Sequence, residues 1–521
     1  MDSGQIQILI TMAVYMAIVI GIGIYFAKRS NQNSENYFLG GRSLGPWVSA
    51  MSAEASDMSG WLLMGLPGVA YWFGLADAAW TAIGLAIGTY LNWLIVSKRL
   101  RRYSEKAGNA ITLPEFFSNR FREDKKVLLT IAAVFILIFF TVYAASCFVT
   151  CGKLFSTLFG ASYVSMMILG AVFVLVYTLI GGFLAESSSD FMQGMVMIFA
   201  LVTVFTVGAV AAGGLGTVIQ NAKNIPGFLE FFGMANPAME DGRQVVQNLK
   251  PVFGAALPYG FITIMSTMAW GLGYFGMPHV LLRFMAIRKE SELTISRRIA
   301  VVWVIIALAS AVFIGIVGRS MYPTAFGTYS ASENIFILIS KSHFIPIFAG
   351  LVMAGILAAT ISSSDSYLLI ASSSVAKNLY QRLFRKNAGD KEIMTVSRIT
   401  LLTITLIAII IALDETSIIF TIVAFAWAGF GATFGPLMLF SLFWKRINRI
   451  GAISGMISGG LMVFFWKLVI RPLGGAWNIY ELLPAFLFSC IVIVAVSLLT
   501  APPPDALQKE FEEVRTAGPI T

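Results

Sequence analysis

The sequence predicts an all-α polytopic membrane protein of about 13 transmembrane helices. Of its 521 residues, 57% are hydrophobic and 12% charged, about half the ~25% charged fraction usual in soluble domains. Apolar stretches of about 20 residues recur from end to end, each long enough to cross a hydrocarbon core of ~30 Å. Lys and Arg gather in alternate loops, the pattern that orients membrane helices.

The helices, numbered 1–13, are expected at roughly 5–27, 44–72, 75–97, 127–155, 162–184, 190–213, 253–277, 298–318, 344–378, 394–413, 417–442, 451–470 and 481–500. The ninth is long enough to be two pieces. With the N-terminus outside and the C-terminus cytoplasmic, 28 of the 36 Lys and Arg fall in cytoplasmic segments, and the opposite orientation inverts the ratio. The densest clusters are Lys98-Arg99, Arg101-Arg102 and Lys125-Lys126. The formal net charge of +9 therefore reads as anchoring beside membrane lipid, with no nucleic acid as partner.

Residues 1–504 are expected to form one transmembrane domain. It comprises 1–43 (peripheral helix 1 and the first cytoplasmic loop), 44–213 and 253–442 (two repeats) and 451–500 (peripheral helices 12–13), followed by a cytoplasmic tail at 505–521. The largest external loop, 214–252, is expected to hold at most short helices. Met1-Asp2-Ser3-Gly4 lacks the basic region of a secretory signal, so the first apolar segment reads as a retained span. Cys147, Cys151 and Cys490 all lie in apolar segments, with neither a disulfide framework nor metal-ligand spacing. Two histidines, His279 and His343, argue against haem or zinc, and no GxxxxGK[ST] motif supports ATP binding. No nucleophile–base constellation points to an enzyme, and no organic cofactor is expected.

Helices 2 and 7 are interrupted. Helix 2 carries Ala53-Glu54-Ala55-Ser56-Asp57-Met58-Ser59-Gly60-Trp61, with two acids and no neighbouring Lys or Arg. A carboxylate near the bilayer centre costs at least ~2.5–3.5 kcal/mol, so it is usually there to meet an ion, a substrate or water. Helix 7 carries Trp270-Gly271-Leu272-Gly273-Tyr274-Phe275-Gly276-Met277-Pro278, whose glycines and proline oppose regular helix. These helices begin blocks 2–6 and 7–11, and five spans being odd, the blocks run in opposite directions. Paired breaks in inverted repeats mark a transporter's binding site at mid-membrane. In helix 9, Ala359, Ser362 and Ser363 share one face. Hydroxyls beside freed carbonyls suit a hard monovalent cation, although small residues also serve tight helix packing. Asp365, toward the cytoplasmic end, reads either as part of a site or as a wet surface acid. Asp190, after Ser187-Ser188-Ser189, has the position of a helix N-cap.

Six strings, read together, resemble the solute:sodium symporter family, and within it the bacterial proline symporters. They are Tyr37 to Pro46 (YFLGGRSLGP), Ala55 to Gly65 (ASDMSGWLLMG), Ile111 to Pro114 (ITLP), Trp270 to His279 (WGLGYFGMPH), Ile356 to Ala359 (ILAA) and Ala426 to Gly431 (AWAGFG). The resemblance implies a LeuT-type fold with inverted repeats 2–6 and 7–11 in a bacterial cell membrane. It implies import of L-proline with Na+ as co-transported ion by alternating access, a monomer sufficing. Carried over, the Na+ site falls on the carbonyls of Ala55, Met58 and Ala359 and the hydroxyls of Ser362 and Ser363, with Asp57 as organiser or ligand. The substrate pocket falls on Ser59, Gly60, Tyr143, Trp270, Tyr274 and Pro278. Asp190, Asp365 and Ser366, with Ser362, form a candidate second cation site or a proton-sensitive pair. Here the chain departs from many relatives, having Ser188-Ser189-Asp190 preceded by Glu186 where they have Trp-Thr-Asp. Two alternatives stand beside this reading: another small amino acid or organic carboxylate as solute, or a non-transporting solute sensor, which the lack of a signalling domain after Pro502 disfavours.

Overall fold

The computed structural model describes residues 2–30 and 32–516. Met1, residue 31 and the tail's last five positions, 517–521, lie outside the described residues. Among those described, eleven helices are long and apolar enough to cross a membrane. Two interrupted helices complete the expected thirteen. Helix 1 is Ser3–Ser30, helix 3 Leu75–Lys106, helix 4 Val127–Phe159, helix 5 Tyr163–Gly181 and helix 6 Phe183–Ala211. Helix 8 is Leu293–Met321, helix 9 Pro346–Phe384, helix 10 Asp390–Ile411, helix 11 Ile419–Phe443, helix 12 Arg449–Leu473 and helix 13 Leu482–Leu499. Helix 9 is continuous rather than two pieces.

Helix 2 runs as Pro46–Asp57, breaks at Met58 to Gly60, and resumes as a π-helical turn, Trp61–Gly65, leading into Leu66–Phe73. Helix 7 runs Phe261–Met268, tightens through Trp270–Gly273 and Tyr274–Gly276, extends at Met277, and restarts as Pro278–Ala286. Its extent corrects the expected 253–277. Proline cannot continue a helix but opens one well, because its missing N–H falls where no intrahelical partner exists. The glycine-rich stretch is thus a break in mid-span and not its end. Helix 6 begins at Phe183, not near 190, so Asp190 lies inside it and is no N-cap. The segment after helix 6 holds one short helix, Leu215–Ala222, but also three two-stranded antiparallel ribbons between Gly233 and Pro258. The tail folds as a helix, Asp505–Thr516, docked through Leu507, Phe511 and Val514 and an Arg122–Glu510 pair at 2.7 Å.

Burial separates core from periphery. In its most apolar stretch helix 9 is 83% buried and helix 11 is 78%, against 28% for helices 1 and 12 and 33% for helix 13. The start of helix 2 and the end of helix 7 are tied side by side. Leu44 N–H donates to the Ala286 carbonyl at 3.2 Å and Arg288 N–H to the Leu44 carbonyl at 3.0 Å. Arg42 donates to the carbonyls of Met285 (2.6 Å) and Ala110 (2.8 Å), binding the loop before helix 2 to the same corner.

Helices 3 and 7 cross through glycine. A Cβ on Gly88 would stand 2.3 Å from the Gly271 carbonyl oxygen, and one on Gly271 would stand 2.2 Å from that of Gly84. Backbone meets backbone there, so no rotamer change relieves the overlap. Gly271→Val is expected to lower stability by about 2–3 kcal/mol or more. The check is the midpoint of thermal unfolding in detergent, with Gly21→Val, which has open space around it, leaving the midpoint unmoved.

Candidate functional site

Breaking two helices frees backbone groups that the hydrocarbon core cannot solvate, so each needs a partner. Trp427 Nε1 donates to the Trp270 carbonyl (2.8 Å) and Asn92 Nδ2 to the Tyr274 carbonyl (3.0 Å). In helix 2, Trp61 Nε1 reaches the Asp57 carbonyl at 3.3 Å, with the Tyr143 hydroxyl at 3.5 Å from the same oxygen. The breaks are held open by side chains of helices 3, 4 and 11.

On the far side of helix 2 stands helix 9. Ser362 Oγ donates to the Ala55 carbonyl at 2.7 Å and also lies 2.8 Å from the Ala358 and 3.3 Å from the Ala359 carbonyl oxygen. Ser363 Oγ is 3.4 Å from the same Ala55 oxygen. Four of the five oxygen donors expected from the sequence therefore meet across these two helices. Met58, whose carbonyl is the fifth, ends the first limb of helix 2 with non-helical φ −85° and ψ 74°.

Asp57 turns the other way. Tyr274 OH donates to its Oδ2 at 2.7 Å, and His279 Nε2 lies 3.2 Å from its Oδ1. All three groups are fully buried. The carboxylate thus clamps the helix 2 break to both sides of the helix 7 break, with its two oxygens spent on helix 7. Glu54, which carries no expected role, accepts from Trp93 Nε1 at 3.1 Å.

Of the six residues expected around a substrate, Trp270 lies in the wall of a cavity of about 710 Å³ that also meets Asp77, Phe420, Lys467 and Tyr480. Its ring stacks near Tyr480 (5.2 Å between centroids) and Trp61 (6.1 Å) and tilts against Phe420 (5.1 Å). Ser59, Gly60, Tyr143, Tyr274 and Pro278 are buried. A Cβ on Gly60 would overlap the Thr150 side chain at 2.3 Å, so glycine lets helix 4 close on the break. Ser59 Oγ has no hydrogen-bond partner among the described residues. Lys467 and Arg471 of helix 12 face Glu481 at 3.8 and 2.8 Å.

The candidate second-site residues gather around Arg283, which lies beyond the expected end of helix 7 at 277. Arg283, in the last turns of helix 7 and fully buried, contacts Glu186, Asp190 (3.3 Å) and Ser366 (2.8 Å). Asp365 is buried rather than wet, with its Oδ2 unpartnered among the described residues. His279 and Arg283 were missed because helix 7 was expected to stop before Pro278. The available signal was their spacing: four residues apart after a helix-starting proline, they share one face.

The sequence matches the model of the sodium:solute symporter family over residues 37–459. The chain belongs to the sodium:solute symporter family. It is 41% identical over 509 residues to the sodium/proline symporter of Escherichia coli (strain K12), covering 97% of this chain and 95% of that one. It is 40% identical over 516 residues to the sodium/proline symporter of Staphylococcus aureus (strain USA300 / TCH1516), covering 98% and 96%. Among solved structures it is similar to a Na+-coupled sialic acid symporter in a substrate-bound outward-open state, with a TM-score of 0.75 and 18% identity over 96% of this chain and 99% of that one. The fold of this symporter-family chain is LeuT-type. The family is one of solute symporters, not of enzymes.

Proposed function

We propose that this chain is a sodium-coupled secondary active symporter that imports L-proline by alternating access. The observation that carries the coupling is the meeting of the Ala55 carbonyl with the Ser362 and Ser363 hydroxyls across helices 2 and 9. The solute follows from near-full-length identity of 40–41% to two sodium/proline symporters. Sodium, the co-transported ion, is held by the carbonyls of Ala55, Met58 and Ala359 and the hydroxyls of Ser362 and Ser363, and Asp57 organises the break from the side. Inward movement of one such charge gains about 2.3 kcal/mol per 100 mV, added to its concentration gradient.

Proline is a zwitterion with a small apolar ring. Its carboxylate suits the unpartnered Ser59 hydroxyl and the Gly60 N–H, at the positive end of the second limb of helix 2. Its ammonium and ring suit the aromatic faces of Trp270 and Tyr274, with Tyr143 and Pro278 closing the pocket. The protein acts as a monomer in the bacterial cell membrane, N-terminus outside, surrounded by lipid.

The test is uptake of labelled proline into proteoliposomes with and without an inward sodium gradient. Sodium-stimulated uptake is expected, and uptake indifferent to sodium overturns the proposal. A competition panel of small amino acids and carboxylates decides the solute. Trp270→Ala is expected to raise the apparent KM for proline about tenfold, the equivalent of ~1.4 kcal/mol, with little change in maximal rate.

A further inference from the structure

Arg283 is a cation buried without exposure to solvent, and its surroundings are those of a bound ion. Nη2 donates to Glu186 Oε1, to Ser366 Oγ (2.8 Å) and toward Asp190 Oδ2 (3.3 Å). Nε donates to Ser52 Oγ (3.0 Å) and Nη1 to the His279 carbonyl (3.1 Å). The ring of Phe183 lies 4.9 Å from the guanidinium carbon. The cage draws on helices 2, 6, 7 and 9. It is also wired to the proposed sodium ligands. Ser366 Oγ donates to the Ser362 carbonyl at 3.0 Å, and Ser362 Oγ donates to the Ala55 carbonyl at 2.7 Å.

Asp190 and Ser366 of this cage, with Asp365 beside them, belong to the set that the family resemblance offers as a second cation site. A guanidinium already sits among them. Two unit charges ~4 Å apart repel by about 4 kcal/mol at an effective dielectric constant of 20, enough to lower the affinity for an incoming ion roughly a thousandfold. The planar fork of arginine distributes hydrogen bonds to several acceptors at once.

We propose that Arg283 is a built-in cation occupying the second ion position, so that each transport cycle takes one sodium per substrate. The inference rests on the sodium-coupled reading above. It also assigns a role to the unpartnered oxygens of Asp190 (Oδ1), Glu186 (Oε2) and Asp365 (Oδ2). They are what a mobile cation finds if the guanidinium is removed.

Radioactive sodium binding to the purified chain at saturating proline reads the number directly. One sodium per protein is expected. Two, with coupled uptake intact, overturn the arginine inference alone, whereas none overturns the sodium-coupled function itself. Arg283→Gln is expected to raise the count from one toward two and the Hill coefficient of sodium activation from 1 toward 2. A folded Arg283→Gln protein that still binds one sodium overturns the inference. Arg283→Lys, which keeps the charge, is expected to stay at one, and a rise to two in that variant counts against it. If Arg283→Gln does not fold, the native count and the lysine variant decide the matter.

Discussion

Asp57→Asn is expected to raise the sodium concentration for half-maximal uptake at least ~30-fold, with proline uptake at low sodium falling in proportion. The side chain keeps its size, so the Tyr274 hydroxyl still finds an acceptor, but the negative charge is gone. Ala55 and Met58 flank Asp57 in the chain, which places an ion on their carbonyls within about 8 Å of the carboxylate. An opposite charge at that range contributes about 2 kcal/mol at an effective dielectric constant of 20, and more when closer. The amide nitrogen also turns toward His279 or Tyr274, disturbing a clamp whose contacts are 3.2 and 2.7 Å. Sodium titrations of uptake check this directly. Tyr274→Phe separates the two causes: it removes one hydrogen bond and keeps the charge, so its sodium shift should be several-fold smaller. Equal shifts in both variants would mean that the clamp, and not the charge, governs sodium affinity.

Glu333→Ala is expected to cost about 3–5 kcal/mol of stability, the range for removing one partner of a buried ion pair. Glu333, in the segment that connects helices 8 and 9, is fully buried, and its carboxylate receives Lys153 Nζ at 2.6 Å. It also accepts the backbone N–H groups of Ile419 and Phe420, each at 3.0 Å, at the positive end of helix 11. Alanine leaves a buried ammonium and two helix-terminal donors without their acceptor. Lys153 retains only the Ser330 carbonyl (3.2 Å) and hydroxyl (2.9 Å). The fit is tight from the other side as well, since a Cβ on Gly68 of helix 2 would stand 3.0 Å from the Glu333 Cα. Thermal unfolding in detergent measures the loss. Combining Glu333→Leu with Lys153→Met should recover part of it, because two matched apolar residues leave no buried charge unpaired. A double variant less stable than Glu333→Ala would contradict the ion-pair account.

Much of the fold is legible in the chain because its causes are local. A hydrocarbon core demands about 20 apolar residues per helix, so the spans announce themselves. Clustered glycines, proline and unpaired acids oppose regular apolar helix, so the interruptions at Met58 to Gly60 and Trp270 to Pro278 are visible as well. Small residues at helical spacing pointed to the face of helix 9 that meets helix 2. Boundaries were weaker where a break mimics an end. Pro278 reads as a stop, and only the structure shows the helix restarting there, carrying His279 and Arg283 into the interior. Asp190 failed in the same way. Seven residues after the true start of helix 6, it sits where three serines in a row resemble a cap.

By itself, then, the sequence determined how many helices there are, where two of them break, and which oxygens lie beside the breaks. Tertiary structure decided which charges meet. Asp57 faces His279 across 222 positions of sequence, Arg283 faces Asp190 across 93, and Lys153 faces Glu333 across 180. Such pairs leave no periodic trace, because electrostatic partners in a membrane interior are chosen by which helices pack together. Each buried charge must find its partner there, water being absent.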